Sequence, residues 1–186
     1  ISLPIAVWLL HDEYDYIDKP NYISVTRLMR PIRHLILPNR IPFEEREADV
    51  EDFIARAFGH SVHDSIEKAW LKNPQKKLRL LGYPDDVIDR VLVNPEPKDI
   101  GPDSIVVYLE QRSFTEFNGY TIGGKFDMSA EGIVQDTKST SAFAWVNGTR
   151  DEENILQMGL YRWLESRQDH PKITEDHGQI NFIFTE

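Results

Sequence analysis

Alternation of hydrophobic and polar residues runs through much of the second half of the chain. It is visible in IVVYLE (105–110), GYTIGGKFDMS (119–129), GIVQDTKST (132–140) and INFIFTE (180–186). A period of two residues is typical of β-strands, and residues 129–132 have the composition of a turn. We therefore expect the first three segments to form a three-stranded meander, with a fourth strand at the end of the chain.

Helical spacing of hydrophobic residues predominates in the first half of the chain. Residues 22–37 are expected to form an entry helix with Ser24 as its N-cap. Pro31 should perturb this helix and Pro38 should end it, because proline cannot donate the backbone hydrogen bond that a helix interior requires.

Three further segments complete the predicted helices. Residues 48–71 are expected to form two helices that meet at Gly59. Pro84 stands at a first helical position and begins a short helix that extends to residue 92. Residues 151–167 are amphipathic, with three acids in the first turn, where the helix dipole favours negative charge. The order α, β, β, β, α, β predicts an α/β fold with a mixed central sheet flanked by helices.

The length of 186 residues favours a single domain, residues 1–186. Residues 22–100 would form its mainly helical part, with an N-terminal helical segment, and residues 105–186 the meander, the amphipathic helix and the last strand. No apolar run approaches the roughly 20 residues that span a bilayer, so no membrane association is expected. The apolar opening ISLPIAVWLL lacks a basic leader and a cleavage site, which favours a cytoplasmic location.

Composition restricts the kind of site the chain can build. It contains no cysteine, which excludes disulfides, thiolate zinc sites, cysteine-ligated iron–sulfur clusters and a cysteine nucleophile. Any metal ion must therefore be held by oxygen and nitrogen ligands. The formal net charge of −10 argues against a broadly basic protein that coats nucleic acid. It does not exclude a nuclease, because cations in a carboxylate cluster bring positive charge to a phosphate.

One stretch, residues 27–40, is clearly basic and includes Arg27, Arg30 and Arg33. Two interpretations remain open for these arginines. They form either a surface that contacts DNA or a solvated face of a helix.

Two aspartates and a lysine carry the candidate chemistry. Hydrolysis of a phosphodiester needs a cation, an activated water and stabilisation of the leaving oxygen. Asp127 lies on one predicted strand, and Asp136 and Lys138 share one face of the next, because they are two residues apart. Lys138 could then orient or deprotonate the attacking water, and the backbone carbonyl of Thr137 is an additional candidate ligand. A D-x-K tripeptide alone is weak evidence, since surface strands often contain it.

Polar pairs with a spacing of four residues interrupt two of the predicted apolar helices. His63 and Glu67 form one pair, and Gln157 and Tyr161 form the other. Taken alone, His63 is better explained as a buried helix histidine and Tyr161 as a core residue with a solvated hydroxyl. Glu110, at the end of the first predicted strand, is one further acid that could join a metal site.

Together these residues resemble the RecB-like nucleases of the PD-(D/E)XK superfamily in order and in type. The resemblance covers the chain from about residue 22 to its end, and its motifs are Gly59 and His63, Asp127, Asp136 and Lys138, and Gln157 and Tyr161. It implies a restriction-endonuclease-like αβββαβ core and one or two Mg²⁺ or Mn²⁺ ions held by His63, Asp127, Asp136 and the Thr137 carbonyl. Lys138 would be the catalytic lysine, and Gln157 and Tyr161 would contact DNA or order the active site. The members that hold an iron–sulfur cluster are excluded by the lack of cysteine.

The resemblance further implies a DNA exonuclease that acts in recombination, repair or phage DNA processing. DNA would be its substrate, and a homo-oligomer or a replication or recombination protein its partner, in a bacterial cytoplasm or that of a phage host. Two alternatives stay open at this point. The chain could be a non-catalytic DNA-binding or scaffold member of the fold, or a structure-specific endonuclease.

Overall fold

A mixed β-sheet with flanking helices forms the body of the computed structural model, which describes residues 1–12, 15–40 and 49–185. The strands within those residues are β1 (Tyr22–Ser24), β2 (Val91–Val93), β3 (Ile105–Phe117), β4 (Tyr120–Ala130), β5 (Ile133–Thr140) and β6 (Gly178–Phe184). The sheet order is β2-β3-β4-β5-β6, and β1 pairs with β4. β3–β4 and β4–β5 are antiparallel, whereas the other pairs are parallel. The predicted α/β class with a mixed sheet is therefore confirmed.

Two tight turns produce the predicted meander. Asn118 and Gly119 join β3 to β4, and Glu131 and Gly132 join β4 to β5. All four have positive φ, at 50°, 79°, 50° and 81° in that order, which is the conformation of the two-residue turns that suit hairpins. The second turn is shorter than residues 129–132, because β4 continues to Ala130. β3 likewise extends beyond Glu110, where the predicted strand ended.

Helices surround the sheet. Those of the described residues are α1 (Leu3–Leu10), α2 (Val25–Leu28), α3 (Ile32–Ile36), α4 (Ile54–Leu71), α5 (Pro74–Leu80), α6 (Asp85–Ile88), α7 (Ala142–Val146) and α8 (Asp151–Glu165). The hydrophobic pattern did not predict α1, α5 or α7. The order α4, β3, β4, β5, α8, β6 contains the predicted α, β, β, β, α, β succession. None of these helices is long and apolar enough to cross a membrane.

The single helix expected at residues 22–37 is wrong. Residues Tyr22–Ser24 form β1, and Pro31 separates α2 from α3, because a proline in a helix interior removes a hydrogen bond and clashes with the preceding turn. Ser24 does act as an N-cap, since its hydroxyl accepts a hydrogen bond from the amide of Arg27 at 3.2 Å. Pro38 lies in a 3₁₀ turn, Leu37–Arg40, that continues the segment.

The expected division at Gly59 is also wrong. α4 passes through Gly59 without interruption, and a Cβ built there would meet nothing within 4 Å. One glycine costs a helix only about 1 kcal/mol, which the packing of α4 outweighs. Residue 48, where this helical segment was expected to start, lies outside the described residues. The helix after Pro84 ends at Ile88 rather than at residue 92, because Val91–Val93 pairs with β3 as β2.

Side chains of β3 and β4 change faces at Glu110, which lies opposite Asp127 in the register of the two strands. Leu109 and Met128 belong to the apolar cluster that packs against α4 and α5. Phe126, only two residues from Met128, packs against α8. Residues two apart share a face in a regular strand, so the alternation reverses between them. Glu110 has φ of 50°, a left-handed conformation that is uncommon outside glycine.

Candidate metal centre

The candidate site lies where β4 and β5 separate. Their ladder ends at the pair Met128 and Gln135, and the same register would place Asp127 opposite Asp136 at the next position. β4 instead continues into its pairing with β1, which leaves a fork between the two strands. The two aspartates therefore meet at the first position beyond the ladder.

Three predicted ligands converge at this fork from one helix and two strands. His63 of α4, Asp127 of β4 and Asp136 of β5 each offer an atom within 4.8 Å of the others. His63 Nδ1 lies 2.9 Å from Asp127 Oδ2. Asp136 is buried, with 5% of its surface exposed. The fold thus brings together residues that are far apart in sequence.

Burial and proximity make the protonation of these groups interdependent. Burial, together with the neighbouring Asp127, raises the pKa of Asp136 to about 7. Burial also acts to raise the pKa of Asp127, but hydrogen bonds with His63 and Asp136 outweigh it, and the pKa of Asp127 is lowered. The hydrogen bond with Asp127 raises the pKa of His63. Two adjacent carboxylates repel each other when both are ionised, and a cation between them would remove that repulsion.

The donor set fits Mg²⁺ or Mn²⁺. Carboxylate oxygens suit both ions, and the imidazole nitrogen of His63 is better suited to Mn²⁺. Asp136 Oδ2 is buried and has no hydrogen-bond partner of suitable geometry among the described residues, although Lys138 Nζ lies 2.6 Å away. A buried acceptor without a hydrogen bond is costly. Coordination to a cation would satisfy it.

Gln157 of α8 holds Lys138 beside this cluster. Lys138 Nζ donates to Gln157 Oε1 at 3.2 Å, and Gln157 Nε2 donates to the Tyr161 hydroxyl at 3.1 Å. Tyr161 is 7% exposed, and its ring packs edge-on against Phe126 with 6.4 Å between centroids. Gln157 therefore positions Lys138, and Tyr161 anchors Gln157 from within the hydrophobic core.

Gly124 allows α8 to approach the sheet at this point. A Cβ built on Gly124 would lie 2.8 Å from Val25 Cγ2, 2.9 Å from Tyr161 Cε1 and 3.0 Å from Leu164 Cδ1. Only a residue without a side chain permits such close packing without a shift of the neighbours. The sequence analysis did not identify this role, because the close approach comes from a helix that is distant in sequence.

An ion pair between Lys125 and Glu110 lies next to the cluster. Lys125 Nζ forms an ion pair with Glu110 Oε2, and the two side chains are 26% and 23% exposed. Burial raises the pKa of Glu110. Glu110, the additional acid predicted for the metal, is not one of the three residues whose ligand atoms converge, although it lines a small cavity with His63 and Asp127. Thr137 lines a small cavity of about 20 Å³ together with His63 and Asp127, so its carbonyl remains a candidate ligand.

A cleft of about 430 Å³ opens onto the cluster. Its walls include the two lysines, Lys125 and Lys138, and Trp8 and His11 at the end of the unpredicted helix α1. Arg27, Arg30 and Arg33 do not line this cleft in the described part of the chain, and all three are exposed. The basic stretch therefore lies outside the cleft, and its two interpretations both stay open.

Comparisons with known proteins bear on the fold. No family model and no curated protein matches the sequence. The structure is similar to the crystal structure of SSO0001, with a TM-score of 0.56 and 18% sequence identity over 97% of this chain and 70% of that chain. At that identity the similarity concerns the fold alone.

Proposed function

We propose that this chain is a metal-dependent deoxyribonuclease of the RecB-like branch of the PD-(D/E)XK superfamily, acting as an exonuclease. The observation that carries the proposal is the convergence of His63, Asp127 and Asp136 at one fork, with Lys138 held beside them. A D-x-K sequence on an ordinary surface strand would not bury its aspartate beside a second aspartate and a histidine.

The order of elements supports the same proposal. A restriction-endonuclease-like core has the succession α, β, β, β, α, β, and α4, β3, β4, β5, α8 and β6 follow it. In this arrangement β4 and β5 carry the acidic residues and the lysine, whereas α4 carries the histidine and α8 the glutamine. Each motif of the family resemblance therefore lies on an element that borders the cleft.

The roles of the residues follow from their positions. When bound by His63, Asp127 and Asp136, Mg²⁺ or Mn²⁺ would neutralise charge on the phosphoryl and leaving oxygens. Lys138 would orient the attacking water and assist removal of its proton, because Gln157 and Asp136 hold its Nζ at the edge of the cluster. DNA would enter through the cleft, and the cytoplasmic location and partner proteins remain predictions.

A cleavage assay with two variants tests the proposal. End-labelled single-stranded and duplex DNA, linear and closed circular, is incubated with the wild-type chain in Mg²⁺, in Mn²⁺ and with chelator. Lys138→Ala should abolish cleavage and keep cation binding, because Lys138 is not a ligand. Lys98→Ala, a change at an exposed lysine that does not line the cleft, should behave like wild type.

Each outcome separates the candidate functions. Shortening of linear DNA that needs a cation and spares circles supports an exonuclease at this site. Cleavage of circles would favour the endonuclease alternative. DNA binding without cleavage under any condition would refute catalysis and leave a binding or scaffold module. Equal activity of Lys138→Ala and wild type would place the chemistry elsewhere.

A further inference from the structure

The two strands that separate at the fork, β4 and β5, each carry one lysine close to the metal cluster. Lys125 lies two residues from Asp127 on β4, and Lys138 lies two residues from Asp136 on β5. In the register of the β4–β5 ladder these lysines would face each other. Because the strands separate before that point, the two ammonium groups line the cleft from different strands.

The cleft is rich in acidic residues, so the positions of its two lysines matter for binding an anion. The cleft walls include Asp127, Asp136 and Glu110, and the whole chain has a formal net charge of −10. A phosphodiester entering the cleft needs fixed positive charge in addition to any cation. Among the described residues that line the cleft, Lys125 and Lys138 are the lysines, and no arginine is present.

Glu110 holds Lys125 in place through the ion pair between its carboxylate and the ammonium group. It does so from a residue with φ of 50° inside a 13-residue strand. Left-handed conformations of this kind persist only where the surrounding structure requires them, and they occur often at functional sites. The turned backbone lies where side chains of β3 and β4 change faces.

We propose that Lys125 forms a phosphate-binding subsite of the cleft and that Glu110 positions it, rather than serving as a metal ligand. An ammonium group carries three donors, so it can contact Glu110 and a phosphodiester oxygen together. This inference rests on the proposed function, and it assigns the ligand as the backbone phosphate of a nucleic acid. Lys138, which is bonded to Gln157 at the cluster, would act on the attacking water instead.

Binding measurements that need no cleavage test the subsite. The probe is a short fluorescent single-stranded oligodeoxynucleotide, with Ca²⁺ present and salt varied. Lys125→Met, which keeps the length of the side chain, should weaken binding about tenfold. It should also reduce the slope of log affinity against log salt by about one, as expected for a lost phosphate contact. Lys125→Arg should retain most of the affinity.

A second measurement separates positioning from metal binding. Mn²⁺ affinity, followed by electron paramagnetic resonance, should be unchanged in Glu110→Gln and strongly reduced in Asp127→Asn. Glu110→Gln should weaken oligonucleotide binding less than Lys125→Met does. The double variant, which removes both charges and avoids an unpaired one, should bind as weakly as Lys125→Met, because Glu110 acts through Lys125.

The alternatives give different results. Loss of Mn²⁺ affinity in Glu110→Gln to the same extent as in Asp127→Asn would make Glu110 a ligand and overturn the assignment. Unchanged oligonucleotide affinity and salt slope in Lys125→Met, or no binding by the wild-type chain, would also overturn it. A wild-type chain that binds DNA but never cleaves would refute the nuclease, while the Lys125 comparison would still decide on the subsite. With active enzyme, Lys125→Met should raise KM more than it lowers kcat.

Discussion

Replacing Asp136 by asparagine should stabilise the metal-free protein while removing its response to metal. The carboxylate is buried, lies beside Asp127, and has an oxygen without a suitable hydrogen-bond partner among the described residues. Asparagine has nearly the same shape and carries no charge. The substitution therefore removes repulsion at the fork with little change in packing.

The size of the expected gain in stability follows from the pKa of Asp136. Raising the pKa of Asp136 from 3.8 to about 7 costs the ionised form about 4 kcal/mol, because each pKa unit is worth about 1.36 kcal/mol. That pKa already includes the attraction to Lys138, so the uncharged asparagine should raise the free energy of unfolding by about 2 to 4 kcal/mol. The measurement is urea denaturation in chelator at pH 8.

Because the pKa of Asp136 is raised rather than lowered, the stability difference between the variant and wild type should depend on pH in a definite direction. A carboxyl whose pKa is higher in the folded state lowers the free energy of unfolding as the pH rises above its pKa in the unfolded chain, because the unfolded chain releases the proton first. The difference between Asp136→Asn and wild type should therefore be small below pH 3.8 and grow up to about pH 7. Asp103→Asn, a change at an exposed aspartate, should shift stability by less than about 0.5 kcal/mol throughout.

Stabilisation by Mn²⁺ gives a second test of the role of Asp136. Mn²⁺ at about 100 times its dissociation constant should stabilise the wild type by about 2.7 kcal/mol, and it should stabilise Asp136→Asn far less. An asparagine variant no more stable than wild type in chelator at pH 8 would refute the account of Asp136 as a carboxylate destabilised by burial beside Asp127. Equal stabilisation of both proteins by Mn²⁺ would place the ion elsewhere.

Three further predictions concern packing and positioning. Gly124→Ala should lower the free energy of unfolding by about 1 to 3 kcal/mol in urea denaturation, because its Cβ would meet α8 and α2. Gly59→Ala, where nothing lies within 4 Å of the new Cβ, should raise it by up to about 1 kcal/mol; equal effects would contradict the packing argument. Glu165→Ala should cost about 3 kcal/mol in the same assay, because the buried carboxylate accepts hydrogen bonds from the Ser113 hydroxyl and, at 2.6 Å, from a backbone amide. A change no larger than that of an exposed glutamate would refute it. Gln157→Leu should lower kcat about 10-fold to 100-fold in single-turnover cleavage without loss of Mn²⁺ affinity; an effect on KM alone would contradict its role in holding Lys138.

The sequence by itself was enough to predict the meander, its last hairpin turn, the helix α8 and the residues of the candidate site. These features depend on neighbours along the chain: a period of two for strands, a period near 3.6 for helices and the turn preference of Gly132. The order of the motifs along the chain was likewise enough to select His63, Asp127, Asp136 and Lys138 as one group.

Tertiary structure alone decided how those residues meet. The short strands β1 and β2 exist because distant segments pair with β4 and β3, and three residues carry too weak a local signal to predict. The fork between β4 and β5, the reversal of faces at Glu110 and the ion pair of Glu110 with Lys125 appear only in the folded chain. Contacts between distant segments have no period along the chain, so only the folded protein could reveal them.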